Sequence, residues 1–234
     1  MVPLPCVRAV RPALLLDLDG TLTDPRKGIT RSLAHALRAL GAPVPDGSAL
    51  ARFIGPPLRD AFAELLPDPS PDRIELAIAR YRECFDRVGW RENRVYDDVP
   101  HFLAALRARG VRALLATSKP RIFALRIARH FGFAPALDGI YGSELDGRLG
   151  HKAELVAHVL AQEGLAPARA VMLGDRRHDV EGARANGLRS LGVTYGFGDR
   201  AELSAAGATW ICDDLHEAFA LLDAALPRSA ARPP

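Results

Sequence analysis

The sequence predicts an α/β fold in which helices cover both faces of a doubly wound parallel sheet, with a small all-helical segment inserted after the first strand. Short continuous apolar runs alternate with helical patterns along most of the chain, as in a parallel sheet that is buried on both faces. Residues 26–95 break this alternation and contain one helical pattern after another. The 234 residues, 48% of them hydrophobic, suffice for a core domain that carries a smaller one.

Five apolar runs are the predicted strands of the sheet. They cover residues 14–18, 111–117, 170–174, 190–194 and 209–212. Helical patterns follow over residues 100–109, 120–131, 152–163 and 179–186. Pro120 lies at the beginning of one predicted helix, and a glycine follows the end of each of the four, which suits the backbone preferences of these residue types.

The inserted segment is predicted to be helical throughout. Its first helix has an apolar stripe that ends before Gly41, a second helix begins near Leu50, and a longer stripe runs from Ile74 to Phe85. No convincing strand pattern lies between these stripes. We therefore expect a small helical unit between the first strand and the rest of the sheet.

Composition and charge exclude several classes of protein. The formal net charge is only +3 and acids are interleaved with the cations, so no nucleic-acid polymer is expected as a partner. Asp17 interrupts the apolar run near the N-terminus, which is too short for a membrane span. The three cysteines lack CxxC spacing, which argues against a disulfide framework and a structural zinc site and favours a reducing cytoplasm. The sequence indicates no oligomeric state.

Lysine is rare in this chain. Among 31 cationic residues only Lys27, Lys119 and Lys152 are lysines, and the others are arginines. Where arginine fills most cationic positions, a lysine marks a place that needs a compact ammonium group on a flexible stem. Lys119 and Lys152 lie in motifs described below, whereas Lys27 is expected to be surface charge.

Two carboxylates stand where the first predicted strand ends. Asp17 and Asp19 are two residues apart in the string DLDGT, and parallel sheets bind ligands at the carboxyl ends of their strands. Buried carboxylates this close repel each other unless a cation or a shared proton intervenes. The motif predicts a metal-assisted nucleophile with a neighbouring general acid. An EF-hand is excluded because Leu22 and Gly28 occupy its sixth and twelfth positions. A simple capping turn is the alternative.

A second acidic pair, Asp175 and Asp179, follows another predicted strand where a helix begins. A spacing of four residues can bring both carboxylates to one side of the turn and complete an oxygen-rich site for a hard cation such as Mg²⁺. The alternative is that one aspartate caps the helix while the other is solvated.

Two further positions suit the binding of an anion. Thr117, Ser118 and Lys119 lie at a strand end just before a helix, where hydroxyl and N–H donors favour a phosphate, although an ordinary strand-to-helix turn has the same pattern. Lys152 opens another predicted helix after a glycine-rich stretch. Taken alone, that lysine is also compatible with a surface position.

In this order and spacing the four motifs resemble those of the haloacid dehalogenase superfamily of phosphohydrolases. The matching positions are DxDGTxxD at 17–24, Thr117, Lys152 and GDxxxD at 174–179. The helical insertion resembles the C1 cap of that family. The resemblance implies a Rossmann-like core domain formed by residues 1–25 and 96–234, and a cap domain formed by residues 26–95.

The resemblance also implies a mechanism. Asp17 would attack phosphorus and form an aspartyl-phosphate, and Asp19 would protonate the leaving oxygen and then activate water. Thr117 would bind the transferring phosphoryl group, and Lys152 would offset its charge. The acid at position 19 matches the phosphatases and phosphomutases of the superfamily, since its dehalogenases lack that acid and its ion pumps carry threonine there.

The cofactor implied by the resemblance is Mg²⁺. The family pattern places the ion between the Asp17 carboxylate, the Asp19 backbone carbonyl and Asp175, with Asp179 acting through water. The ion would stabilise the charge that develops on the phosphoryl group.

The expected substrate is a small phosphomonoester, and shorter sequence strings indicate its class. The strings FIGPPL, ATSKP and GSELDG resemble a subgroup typed as bacterial 5′-nucleotidases, which is also called phosphoglycolate phosphatase-like. Gly20, Ser118 and Lys119 would bind phosphate, and Arg59 would face the non-reacting end of the substrate. Phosphoglycolate phosphatase, phosphomutase and a catalytically silent phosphate- or partner-binding scaffold are the alternatives.

Overall fold

A computed structural model describes residues 11–226 and contains one six-stranded parallel sheet. Its strands, in the order β5-β4-β1-β6-β7-β8, pair parallel throughout. The strands are β1 (Ala13–Leu16), β4 (Arg112–Pro120), β5 (Gly139–Ser143), β6 (Ala170–Gly174), β7 (Arg189–Val193) and β8 (Trp210–Cys212), while β2 (Thr23–Asp24) and β3 (Arg94–Val95) form a separate antiparallel pair.

Helices cover the sheet and form the inserted segment. They are α1 (Arg26–Ala39), α2 (Gly47–Ala51), α3 (Leu58–Leu65), α4 (Pro71–Arg87), α5 (Val99–Ala108), α6 (Arg121–His130), α7 (Lys152–Glu163), α8 (Arg177–Ala185), α9 (Arg200–Ala206), α10 (Leu215–Ala220) and α11 (Leu222–Ala225). Short 3₁₀ helices lie at Gly89–Arg91, Ala134–Ala136 and Pro167–Arg169. None of the helices within residues 11–226 is long and apolar enough to cross a membrane. The predicted fold class is confirmed.

Both faces of the sheet are buried, which explains the continuous apolar runs. In β1 the side chains of Leu14 and Leu16 join the same hydrophobic cluster as the inserted helices, while Ala13 and Leu15 pack on the opposite side with Leu155 and other residues of α7. A strand covered on both sides needs an apolar residue at every position rather than at every second one.

The sheet also contains an edge strand that the sequence pattern missed. β5 begins at Gly139, and its first three residues are only partly buried, because an edge strand has a neighbour on one side only. Such a strand lacks the long apolar run by which the others were predicted. β4 is longer than predicted: it extends through Ser118 and Lys119 to Pro120, with a shift of register between Thr117 and Pro120.

The first and last residues of the inserted segment lie side by side. Gly28 and Gly89 approach so closely that a Cβ atom on Gly28 would overlap the carbonyl oxygen of Gly89. The N–H of Gly28 donates to the carbonyl of Glu92 at 3.1 Å, and Lys27 Nζ lies 3.6 Å from the Glu92 carboxylate. Lys27 is exposed, as expected of surface charge.

The short pair β2–β3 joins the residues just before the inserted segment to the last residues of that segment. β3 is a correction to the prediction that residues 26–95 contain no strand, and its two residues are too few to show a pattern. Buried apolar residues run without a break from the sheet into helices α1, α3 and α4. The division into a core of residues 1–25 and 96–234 and a cap of residues 26–95 stays a prediction, and residues 1–10 and 227–234 lie outside the described part of the chain.

Candidate active site

The ends of three neighbouring strands bring the predicted acids together. Leu16, the last residue of β1, is in register with Leu115 of β4 and Leu173 of β6. The residues that follow these three positions therefore meet at one edge of the sheet. Asp17 is one of them, and its N–H donates to the carbonyl of Leu173 at 2.9 Å.

Lys152 joins two of the acids. Its ammonium nitrogen lies 2.7 Å from Asp17 Oδ1, 2.8 Å from Asp179 Oδ1 and 3.0 Å from the carbonyl oxygen of Ala116. Burial alone lowers the pKa of Lys152, but the carboxylates of Asp17 and Asp179 raise it above its ordinary value. Lys152 is 6% exposed and stays charged, so a surface position for this residue is excluded.

The stem of Lys152 fits closely against a neighbouring helix. Lys152 opens α7, and Gly182 of α8 lies directly against it. A Cβ atom on Gly182 would come within 2.7 Å of Lys152 Cγ. This close approach of α7 and α8 holds the ammonium group at the acids.

Asp175 follows β6 and is fully buried in a cradle of small residues. Its Oδ1 accepts a hydrogen bond from the Thr21 hydroxyl at 3.2 Å, and its Oδ2 accepts one from the Phe197 N–H at 2.7 Å. A Cβ atom on Gly20 or on Gly196 would overlap the Asp175 side chain, and Gly20 has φ of +88°. Gly20 therefore lies directly against Asp175, and its binding of phosphate stays a prediction.

The loop 195–198 and Thr21 are site residues that the sequence interpretation missed. The loop follows β7 and reads YGFG, and the Tyr195 hydroxyl donates to the carbonyl of Thr21 at 2.7 Å. Alternating glycines directly after a strand are the signal by which this loop could have been recognised.

Asp179 belongs to the first turn of α8 and caps it. Its Oδ2 accepts a hydrogen bond from the Arg176 N–H at 3.1 Å, and a Cβ atom on Gly174 would overlap its carboxylate. Asp179 therefore bonds back to Arg176, the N-cap residue, from the third position of the helix, and neither acid of the pair is solvated as the capping alternative required. Burial and, to a smaller extent, the Asp17 carboxylate raise the pKa of Asp179, while Lys152 lowers it, and the net result is a pKa of about 6.

The three buried carboxylates form a group that fits a hard divalent cation. Asp17, Asp175 and Asp179 each offer one oxygen atom, and these atoms lie within 4.8 Å of one another. Burial and the charges of Asp179 and Asp17 raise the pKa of Asp175 well above its ordinary value. Three carboxylates against one ammonium leave two negative charges, which one divalent cation offsets.

Asp19 is not part of this group and is paired with Lys119. Its Oδ2 lies 2.5 Å from Lys119 Nζ, which in turn lies 4.8 Å from the centre of the Phe85 ring of α4. Burial raises the pKa of Asp19, and Lys119 offsets only part of that rise. Asp19 Oδ1 is buried and has no hydrogen-bond partner within residues 11–226.

Thr117 and Ser118 lie inside β4 rather than after it. The Thr117 side chain is buried, and its Oγ1 accepts a hydrogen bond from the Lys119 N–H at 3.3 Å. Ser118 is half-buried, and its carbonyl accepts from the Ser143 hydroxyl at 2.8 Å. Ser143 is a further site residue that was missed, because it lies on the unpredicted edge strand β5.

A cavity of about 140 Å³ opens from Asp19 and Lys119 toward the inserted helices. Four aromatic side chains are among the residues that line it, namely Phe53, Tyr81, Phe85 and Phe123. Arg59 also lines the cavity, but it is half exposed and forms an ion pair with Glu75. The structure therefore gathers all the predicted site residues except Arg59 around the strand ends, and it places Arg59 on the cavity wall beside Glu75.

Comparisons with known proteins agree with this geometry. A family model described as haloacid dehalogenase-like hydrolase matches residues 12–187. A 5′-nucleotidase of Pseudomonas aeruginosa is 50% identical over 204 residues, which are 87% of this chain and 92% of that protein. The tyrosine-protein kinase PtkA of Mycobacterium tuberculosis is 40% identical over 211 residues, which are 88% of this chain and 72% of that protein.

A solved structure of similar fold points to the same family as the family model. The crystal structure of a predicted phosphatase from Clostridium acetobutylicum superposes with a TM-score of 0.88 at 39% identity, over 92% of this chain and 99% of that one. The family model spans β1 and β6, which Asp17 and Asp175 follow, the strand that contains Thr117 and the helix that begins with Lys152. The chain therefore belongs to the haloacid dehalogenase-like hydrolases, and it is a phosphatase.

Proposed function

We propose that this phosphatase hydrolyses nucleoside 5′-monophosphates with the help of Mg²⁺ and forms an aspartyl-phosphate on Asp17. The observation that carries the proposal is the buried contact of Asp17 with Lys152, beside two further acids and next to a cavity with aromatic walls. The relative named 5′-nucleotidase, at 50% identity, supports the substrate class.

Asp17 is the proposed nucleophile. An oxygen of its carboxylate attacks phosphorus, a new phosphorus–oxygen bond forms, and the ester bond to the leaving group breaks. Lys152 holds Asp17 Oδ1 and so fixes the orientation of the carboxylate. Because Lys152 stays charged, it also stabilises the negative charge on the transferring phosphoryl group.

Asp19 is the proposed general acid and base. Burial raises the pKa of Asp19, so the side chain can carry a proton and deliver it to the departing oxygen. In the second step the carboxylate takes a proton from water while the water oxygen attacks phosphorus, which releases phosphate and restores Asp17. The unpartnered Asp19 Oδ1 supports this role, since a buried oxygen without a partner can carry the proton that is donated to the leaving oxygen and can then accept a hydrogen bond from water.

The phosphoryl oxygens are proposed to bind at Thr117, Ser118, Lys119 and Gly20. The Thr117 oxygen accepts from the Lys119 N–H, so its own proton is available for a phosphoryl oxygen. Lys119 adds a positive charge at the side where the leaving group departs.

Asp17, Asp175 and Asp179 are the residues that would hold the metal, with the backbone carbonyl of Asp19 as a further proposed ligand. Phosphatases of this family generally use a divalent metal, and the buried acids could bind one. Oxygen ligands alone favour Mg²⁺, which would supply positive charge to the phosphoryl group.

The cavity supports a nucleoside as the non-reacting part of the substrate. Its polar end holds Asp19 and Lys119, and its walls carry Phe53, Tyr81 and Phe123, against which a planar base can stack. Arg59 and Glu75 provide hydrogen-bonding groups for the base or the sugar. A two-carbon acid such as phosphoglycolate would leave most of these aromatic side chains without contact.

A phosphate-release assay across a panel of esters tests the proposal. The panel contains the nucleoside monophosphates, phosphoglycolate and hexose phosphates, each with Mg²⁺. We expect the highest kcat/KM for nucleoside monophosphates, and loss of activity in EDTA and in Asp17→Asn. A preference for phosphoglycolate would overturn the substrate class, whereas phosphate release by purified Asp17→Asn would overturn the mechanism.

A further inference from the structure

Arg176 connects the sheet side of the molecule to the inserted helical segment. It lies between Asp175 and α8, and its side chain is 11% exposed. Its Nε donates to Glu202 Oε1 at 2.9 Å, and its Nη1 donates to the carbonyl oxygens of Ile54 at 2.6 Å and Arg52 at 3.2 Å. One guanidinium group therefore bridges α9 and the chain that follows α2.

The acceptors of Arg176 belong to a segment that lines the cavity. We define the segment as residues 52–57, of which Phe53, Gly55, Pro56 and Pro57 line the cavity. Gly55 has φ of +108°, and a Cβ atom there would lie 3.2 Å from Arg176 Cγ. The segment thus rests directly on the Arg176 side chain and not only on its guanidinium group.

Arg176 is itself held firmly from the sheet side. Its N–H donates to Asp179 Oδ2, and its anchor Glu202 also accepts from the Arg177 N–H at 2.8 Å. Glu202 belongs to the first turn of α9, where a carboxylate interacts favourably with the free N–H groups of the helix. Because Glu202 already holds the Arg176 side chain, this side chain loses little further conformational freedom when it binds the two carbonyl groups.

We propose that Arg176 is a positioning residue that holds segment 52–57 over the cavity and so sets the selectivity for the non-reacting end of the substrate. The proposal rests on the proposed function, in that the cavity is taken to receive the nucleoside. Segment 52–57 rests on Arg176, whereas Asp17 is held by Lys152. Displacement of the segment therefore weakens binding of the nucleoside and leaves the bond-breaking groups in place. A small ester that does not reach the segment is unaffected.

Amide hydrogen exchange tests the holding role without any substrate. In Arg176→Met we expect exchange at residues 52–55 to accelerate at least about ten-fold, the effect of losing roughly 1.4 kcal/mol of local stability. Arg177→Met is the matched control, since this neighbouring arginine is exposed, and its exchange should equal that of the wild type. Unchanged exchange in Arg176→Met would overturn the holding role.

Steady-state kinetics test the selectivity role. For Arg176→Met we expect KM for nucleoside monophosphates to rise at least about five-fold with kcat within about two-fold, since the lost contacts serve binding rather than the chemical step. KM for phosphoglycolate should stay within about two-fold of the wild type. Equal increases of KM for both esters would show that Arg176 does not select.

Two further variants keep the test decisive. Arg176→Lys retains the charge but cannot bridge Glu202 and two carbonyl groups, so it should resemble Arg176→Met. If Arg176→Met does not fold, Glu202→Gln weakens the anchor and is measured in the same exchange experiment. If the wild type does not hydrolyse nucleoside monophosphates, the proposed function and the selectivity role fail together, and hydrogen exchange still decides the holding role.

Discussion

The ammonium group of Lys152 lies 2.7 Å from the carboxylate of Asp17, although 135 residues separate the two in the chain. The contact forms because the first strand and the beginning of α7 meet at one end of the sheet, with Gly182 leaving room for the lysine stem. It unites two motifs that the sequence shows only as separate strings, and it leads to the first prediction.

Replacing Lys152 by arginine should abolish most of the activity although the charge is kept. The guanidinium group is larger and planar, and the space beside Gly182 is filled by the lysine stem, so the charge cannot occupy the same position. We expect kcat to fall by about 100-fold or more, as when one group that stabilises the transition state is removed. Lys27→Arg, at an exposed position, is the control and should retain normal turnover.

Replacing Asp19 by asparagine should distinguish esters by their leaving group. Without a general acid, an alkoxide leaving group departs slowly, whereas p-nitrophenolate needs no proton. Because Asp19 also serves as the base in the second step, which is common to both esters, the leaving-group effect is read from kcat/KM, which reports the first phosphoryl transfer. We expect kcat/KM for a nucleoside monophosphate to fall by about 10²–10⁴-fold, and kcat/KM for p-nitrophenyl phosphate to fall much less. Asp72→Asn, an exposed acid in the first turn of α4, should change neither value. Equal losses of kcat/KM for both esters would contradict the role of Asp19 as general acid.

Metal-free protein should lose stability as the pH rises. The pKa of Asp179 is raised from 3.8 to about 6, so the folded protein binds this proton more tightly than the unfolded chain. The corresponding stability is present below about pH 4 and is lost as the pH rises through about 6. In EDTA we expect Tm to fall over this interval by roughly 2–4 °C for each kcal/mol lost.

Metal should reverse this trend, because the cation binds the ionised carboxylates and competes with their protons. Addition of Mg²⁺ should raise Tm more at pH 7 than at pH 5. Asp179→Asn should reduce the fall in Tm that is measured in EDTA. Thermal unfolding monitored by circular dichroism provides all three measurements, and a Tm in EDTA that rises between pH 4 and 7 would contradict the assignment.

A methyl group on Gly196 should impair metal binding. A Cβ atom there would overlap the Asp175 side chain, so Asp175 must move away from Asp17 and Asp179. We expect the Mg²⁺ concentration for half-maximal activity to rise by about 10-fold or more in Gly196→Ala, as for changes in residues that orient a metal ligand. Gly47→Ala is the matched control, because a Cβ atom on Gly47 meets no other atom within 4 Å.

The strands and helices that could be predicted are those with a strong local signal. Buried strands such as β1 and β6 need an apolar residue at every position, and their carboxyl ends carry the conspicuous strings DLDGT and GDRRHD. The edge strand β5 lacks this signal because its first three residues are only partly buried and two of its five residues are glycines, and Ser143 was missed with it. The two-residue strands β2 and β3 are too short to show any period.

By itself the sequence determined the fold class and the acids and lysines of the site, since each depends on residue type, spacing and position at a strand end. Only the tertiary structure decided how these groups are held. Asp175 is surrounded by Gly20, Thr21 and Phe197. Arg176 donates hydrogen bonds to both Glu202 and the carbonyl of Ile54. These contacts join segments that are far apart in the chain and meet only through the register of parallel strands, which no local pattern records.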